Sequence, residues 1–223
     1  YDLIIKNGEV FDGSGTESKT VDIAITGNTI IKVGKINSEK STRVIDASGL
    51  IVSPGFIDTH AHLDPMDNFI KLSDSESHVR QGVTTSFGGP DGRGVPLKYG
   101  FKQYLDTIEK VGVGMNMGFL TGHNKIRRVV MNLDNREPTN DELEIMKNLA
   151  SKAMDEGAFG ISTGLKYLPG NFSKVDEVIA ISKEISSKGG IYTSHLRDEG
   201  LKIIDAVKEA IQISKNADIN VVL

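Results

Sequence analysis

The chain contains no cysteine and no tryptophan. Without cysteine there can be no disulfide, no thiolate zinc module and no thiol nucleophile, so any metal ion has to be held by His, Asp, Glu or a modified Lys. Secretion gains no support from this composition. Positive charge is not in excess: 26 Lys and Arg stand against 30 Asp and Glu, a net charge of -4. That balance excludes the polybasic footprint of nucleic-acid binders and of proteins held to anionic membranes. No apolar run approaches the roughly 18 residues of a membrane span. The opening residues Tyr1-Asp2-Leu3-Ile4-Ile5-Lys6 show no charged segment leading into a long apolar core. The expectation is a cytoplasmic protein acting on a small molecule, without nucleic-acid or membrane partners. Proline is scarce at 6 residues, whereas glycine reaches 24 of 223, well above the ~7% of average proteins. Such a balance suits many tight turns between short elements.

Two kinds of patterning divide the 223 residues. In residues 1–54, β-branched runs such as Leu3-Ile4-Ile5, Val21-Asp22-Ile23-Ala24-Ile25 and Thr29-Ile30-Ile31-Lys32-Val33 alternate with the turn dipeptides Asn7-Gly8, Asp12-Gly13 and Gly27-Asn28. This predicts a small antiparallel sheet, continued by Arg43–Ala47 and Leu50–Val52. Pro54-Gly55 breaks the pattern. Strand-like segments then follow at 56–60, 83–87, 113–119, 159–162, 191–195 and 219–223, with 3.6-residue apolar spacing at about 99–110, 140–156, 174–187 and 199–215 between them. Thr139-Asn140-Asp141-Glu142 reads as a capping box opening the second of these helices. Alternating β and α predicts an α/β fold with a parallel sheet and crossover helices. The steps repeat at about 28 residues, and a closed eight-stranded barrel needs ~250, so spacing alone leaves open both an incomplete barrel and an open six-stranded sheet.

The sharpest chemical signal is His60-Ala61-His62 at the end of the first strand after the break. Imidazoles at i and i+2 of a strand point to one side, where both can chelate one ion; the alternative is two exposed loop histidines. Other candidates read as structure. His78 belongs on a helix surface. Gly112-Val113-Gly114 lacks phosphate-loop spacing, and Ser162 lacks the Gly-x-Ser-x-Gly elbow of a serine nucleophile. Lys125, Arg127 and Arg128 read as a solvated basic cluster, and the stripe Ile203, Ile204, Val207, Ile211 as core.

The run from Pro54 to Asp64, Pro-Gly-Phe-Ile-Asp-Thr-His-Ala-His-Leu-Asp, resembles the strand-one signature of the amidohydrolase superfamily. Gly82-Val83-Thr84-Thr85, the 122–128 segment Gly-His-Asn-Lys-Ile-Arg-Arg, and the stretches 157–167 and 189–199 are similar to the D-aminoacylase (N-acyl-D-amino-acid deacylase) family. The resemblance covers essentially the whole chain. It implies a metal-dependent hydrolase TIM (β/α)8 barrel, with about six of eight strands in 55–223, and places 1–54 in a small β-sandwich. It implies one or two zinc ions, with His60 and His62 as ligands of the weaker site and His195 as a ligand of the tight one. Tyr167 and Arg197 become substrate anchors, and His123 either approaches the substrate or is structural.

Two departures stand out. The family's metal-binding Cys turn after strand two is here Gly88-Gly89-Pro90-Asp91-Gly92, which makes Asp91 a ligand or, alternatively, an Asx-turn residue. The family's later Ser-His turn and strand-eight Asp, the general base, have no counterpart in the chain, so the catalytic residue is expected in a remaining C-terminal part of the same protein. Lys166 is a candidate for the carbamylated bridge of related enzymes. The implied reaction is hydrolysis of the amide of N-acyl-D-amino acids or D-residue-containing dipeptides by a zinc-activated water. Alternatives are a cyclic-amide hydrolase of the dihydroorotase or hydantoinase kind, or a non-catalytic assembly protein. Self-association is left open.

Overall fold

The computed structural model describes residues 1–37, 40–63, 73–95 and 100–223. They fall into two compact units, Tyr1–Gly55 and Phe56–Leu223.

The first unit is a sheet of β1 (Leu3–Val10), β2 (Lys19–Thr26), β3 (Thr29–Gly34), β4 (Arg43–Asp46) and β5 (Ile51–Val52). The order is β3-β2-β1-β4, with β5 also on β1. β1–β2 and β2–β3 are antiparallel, as expected, but β4 and β5 run parallel to β1, so the sheet is mixed. Asn7-Gly8 does not end a strand. Asn7 sits at φ 62 in a register shift inside β1, and Asp22 compensates the broken ladder by accepting from the backbone N–H of Asn7 and of Ile36, each at 3.0 Å. These two donors hold the Asp22 carboxyl below the usual carboxylate range. Ile4, Ala24 and Ile36 form the unit's core.

The second unit alternates strands and helices: β6 (Phe56–Asp58), α1 (Glu76–Val79), β7 (Val83–Gly88), α2 (Phe101–Val111), β8 (Asn116–Phe119), β9 (Thr121–Gly122), α3 (His123–Met131), α4 (Asn140–Asp155), β10 (Gly160–Gly164), α5 (Val175–Ser186), β11 (Ile191–His195), α6 (Ile203–Ala217) and β12 (Val221–Val222). Every pairing is parallel, in the orders β6-β7-β8 and β9-β10-β11-β12. The architecture is thus α/β with parallel sheets, and the described strands do not close on themselves. Parallel pairing sends all these strands' C-terminal ends toward one side, where the loops carrying the polar residues collect.

Ile126, Met146, Ile161, Leu165, Ile181, Ile185, Tyr192 and Ile213 pack into one core of virtually no exposure between the helices and the β10–β11 sheet; each such side chain contributes about 1.5–3 kcal/mol by burial. The capping box is as the sequence implies: Thr139 Oγ1 accepts from the Glu142 N–H at 3.3 Å, and Glu142 Oε2 accepts from the Thr139 N–H at 2.8 Å. On α6 the packed face is not the isoleucine stripe. Ala206, Ala210, Ile213 and Ala217 are buried, whereas Ile204 and Ile211 are exposed, because small residues allow the helix its close approach. Among the described residues no helix is long and apolar enough to cross a membrane.

Candidate metal centre

The loops after β6 and β7 and the last residue of β11 bring imidazoles around one carboxylate. Asp91 is 8% exposed. Its Oδ2 lies 2.9 Å from His62 Nε2, and its Oδ1 lies 3.4 Å from His60 Nε2 and 3.5 Å from His195 Nδ1. One ligand atom each from His60, His62 and Asp91 fits within a 4.8 Å group. Asp91 Oδ1 is buried without a hydrogen-bond donor. A buried, unsatisfied carboxylate oxygen among imidazole nitrogens is a donor set suited to a divalent cation, and to zinc in particular.

The β7 loop explains why an aspartate can stand here. Asp91 adopts φ 56 between Gly89 at φ 79 and Gly92 at φ 73, and Asp tolerates this left-handed region better than most residues. A Cβ on Gly89 would lie 2.7 Å from the Leu120 carbonyl oxygen. Ser162 of β10 fastens both ends of the turn, donating to the Gly89 carbonyl at 2.6 Å and accepting from the Gly92 N–H at 3.0 Å.

A cavity of about 470 Å³ opens beside the cluster, lined by His62, Asp91, Tyr167 and the cations Arg93, Lys125 and Arg128 among others. The Tyr167 ring lies 4.6 Å from that of His195, with its hydroxyl 3.5 Å from Nδ1. On the other side of His195, Glu199 Oε2 stands 3.3 Å from Nε2, within ion-pair reach although not in hydrogen-bond alignment. Lys166 Nζ donates to that same oxygen at 2.7 Å. Lys166 and the nearby His195 hold the Glu199 carboxyl low, and Glu199 in turn raises the Lys166 ammonium.

Of the residues singled out in the sequence, His60, His62, Asp91, His195 and Tyr167 thus come together, and three others do not. Arg197, expected on the strand face of His195, follows the last residue of β11, so strand alternation no longer directs it. Its guanidinium instead grips Glu209 at 2.8 and 2.9 Å and the carbonyls of Asn171 and Ser173. His123, for which substrate approach and a structural place were both open, is wholly buried with Nε2 2.8 Å from Glu177 Oε1, which is the structural alternative. Lys166 is engaged by Glu199 and lies outside the Asp91-centred group. Sequence reasoning missed the cavity-wall cations: Arg127 turns inward to Glu177, while Lys125 and Arg128 on the same helix reach the cavity. It also missed Glu199, for which the His195/Glu199 spacing of four was the available signal.

A model of the Amidohydrolase family matches residues 43–209. D-aminoacylase of Alcaligenes xylosoxydans xylosoxydans is 33% identical across 100% of this chain and 50% of its own length. Among solved structures, N-acyl-D-glutamate deacylase of Bordetella bronchiseptica, complexed with zinc and a phosphonate inhibitor, superposes with a TM-score of 0.92 at 28% identity, covering 100% of this chain and 50% of that one. A D-aminoacylase structure from work on its binuclear metal centre gives 0.93 at 32% identity, over 100% and 51%. The chain spans about half the length of the curated relatives it matches.

Proposed function

The chain belongs to the amidohydrolase family, and from that premise we propose that it is part of a zinc-dependent hydrolase that cleaves the amide bond of N-acyl-D-amino acids. The carrying observation is the convergence of His60, His62 and His195 on the buried, unsatisfied Asp91 carboxylate; the deacylase relatives supply the substrate class. In this reading the parallel strands of 55–223 are about six of the eight strands of a (β/α)8 barrel, and residues 1–54 belong to a small β-sandwich.

His60, His62, Asp91 and His195 would hold the zinc, which when bound supplies a Lewis acid that polarises the acyl carbonyl and lowers the pKa of water. The remaining residues orient and bind. Glu199 stands 3.3 Å from His195 Nε2, on the side of the ring away from the Nδ1 that faces Asp91, and its negative charge complements a metal-bound imidazole there. Arg128, with Arg93 and Lys125, gives the cavity wall a positive potential that complements the substrate carboxylate. Tyr167 stands at the same cavity, with its hydroxyl placed to donate to a substrate oxygen. No general base is assigned among the described residues, and the curated relatives are about twice as long as this chain.

The test is to strip the full-length enzyme with a chelator, reload it with zinc, and assay N-acetyl D- and L-amino acids in parallel. Zinc-restored hydrolysis confined to the D-series is expected. Activity on cyclic amides alone, or activity indifferent to zinc, would sink the reading. A carbamylated-lysine chemistry of the cyclic-amide kind is disfavoured by the Lys166–Glu199 pair, because carbamylation needs a neutral amine and Glu199 stabilises the ammonium.

A further inference from the structure

We propose that Asn124 is a positioning residue for the metal centre, setting the Asp91 turn, the β10 end and the Tyr167 loop in register with one side-chain amide; this rests on the metal-centre reading above. Asn124 is the second residue of α3 and 7% exposed. Its Oδ1 accepts from the Gly164 N–H at 3.1 Å, while its Nδ2 donates to the Gly164 carbonyl at 2.9 Å and to the Tyr167 carbonyl at 3.3 Å. The residue after Gly164 carries the link onward, since the Leu165 N–H donates to the His195 carbonyl at 3.0 Å. One amide therefore ties the backbones around Tyr167 and His195 to α3.

The third tie is steric. A Cβ on Gly92, the neighbour of Asp91, would sit 2.0 Å from Asn124 Oδ1; one on Gly170 would sit 2.5 Å from the same oxygen; and one on Gly164 would sit 2.3 Å from the Asp91 carbonyl oxygen. Gly92 and Gly170 thus leave room for the Asn124 amide, and Gly164 at the end of β10 lets Asp91 close against that strand. The neighbour His123 anchors the helix start through Glu177, so the amide is presented from a fixed base. Groups that hydrogen-bond metal ligands from behind typically change metal affinity by 10–100-fold when removed, and Asn124 acts on the same ligands through the backbones it holds.

The test uses the full-length protein and two readouts: zinc affinity, by competition with a chromophoric chelator, and the melting temperature. Asn124→Ala, and Asn124→Asp, whose carboxylate cannot donate to two carbonyls, are expected to weaken zinc binding by about 10–100-fold. Ser214→Ala, which deletes a 2.6 Å bond to the Ile219 carbonyl at the end of α6, is expected to lower the melting temperature and leave zinc affinity unchanged. Wild-type zinc affinity in a folded Asn124→Ala overturns the proposal, whatever its melting temperature. If that variant does not fold, Gly170→Ala, which crowds the amide without removing it, carries the same test, and undiminished zinc affinity there overturns it equally. A wild-type protein that binds no zinc would instead defeat the metal-centre reading itself.

Discussion

The carboxylate of Asp91 faces the imidazole of His62 across 2.9 Å from a left-handed backbone position, so a residue of the β7 loop closes a site opened by the first strand of the parallel sheet. Removing that carboxylate leaves imidazoles with no anion to balance a dication. Asp91→Ala is expected to lose zinc binding by 100-fold or more in chelator competition, and deacylase activity with it. Asp91→Cys is expected to recover much of the affinity, since a thiolate is an excellent zinc ligand, with some loss of stability because Cys tolerates positive φ less well than Asp. An alanine variant that binds zinc like the wild type would remove Asp91 from the ligand set.

Arg128 and Tyr167 share the cavity wall beside this cluster but should fail differently when altered. Arg128→Gln removes a charge that attracts the substrate's carboxylate in ground and transition states alike, so KM should rise by about tenfold with kcat nearly constant. Tyr167→Phe removes a hydroxyl able to donate to developing charge, so kcat should fall by about 10²-fold if it acts as an oxyanion donor. Steady-state kinetics on an N-acetyl-D-amino acid separates the two, and a pure KM effect in Tyr167→Phe would assign that hydroxyl to substrate binding alone.

The Lys166–Glu199 contact of 2.7 Å makes a further outcome accessible to mass spectrometry. Glu199 favours the ammonium form of Lys166, which disfavours carbamylation because that step needs the neutral amine. Native mass spectra of the full-length protein should show no carbon dioxide adduct, and added bicarbonate should leave activity unchanged. A bicarbonate-dependent rise abolished by Lys166→Met would revive the bridging-lysine chemistry.

The sequence revealed most where a periodicity was short and strong. His60-x-His62 was readable because strand geometry puts i and i+2 on one side, and α4 because its capping box precedes an apolar period that the core uses. Strand direction was not readable: β4 and β5 are short runs whose residues carry no sign of parallel pairing with β1. α3 was hidden for a different reason. Its segment begins with a histidine and carries a lysine and two arginines, which reads as a polar loop, yet His123 and Arg127 face inward because Glu177 of α5 meets both. A charge compensated from 50 residues away leaves no local pattern. Arg197 shows the converse, in that the alternation was sound but the strand had ended.

That buried compensation contributes to the acid sensitivity of the fold. Burial alone would raise the Glu177 pKa, but its bonds to the His123 imidazole and Arg127 guanidinium outweigh this and hold it below the ordinary 4.5. A carboxyl depressed in the folded state binds fewer protons there than in the unfolded chain, so its contribution is fully present above about 4.5 and is lost as the pH falls through the lowered folded value. Urea unfolding of the full-length protein should therefore show stability falling below that pH. Glu177→Gln should flatten this part of the profile and cost about 3–5 kcal/mol at neutral pH, because it strands a buried guanidinium. The pair Arg127→Met with Glu177→Met should recover part of that loss, since it leaves no buried charge unpaired, but not all of it, because the buried His123 Nε2 loses its partner Glu177. If Glu177→Gln unfolds with the wild-type midpoint at neutral pH, the cluster contributes nothing to stability, and the acid sensitivity of the fold must arise at other carboxylates.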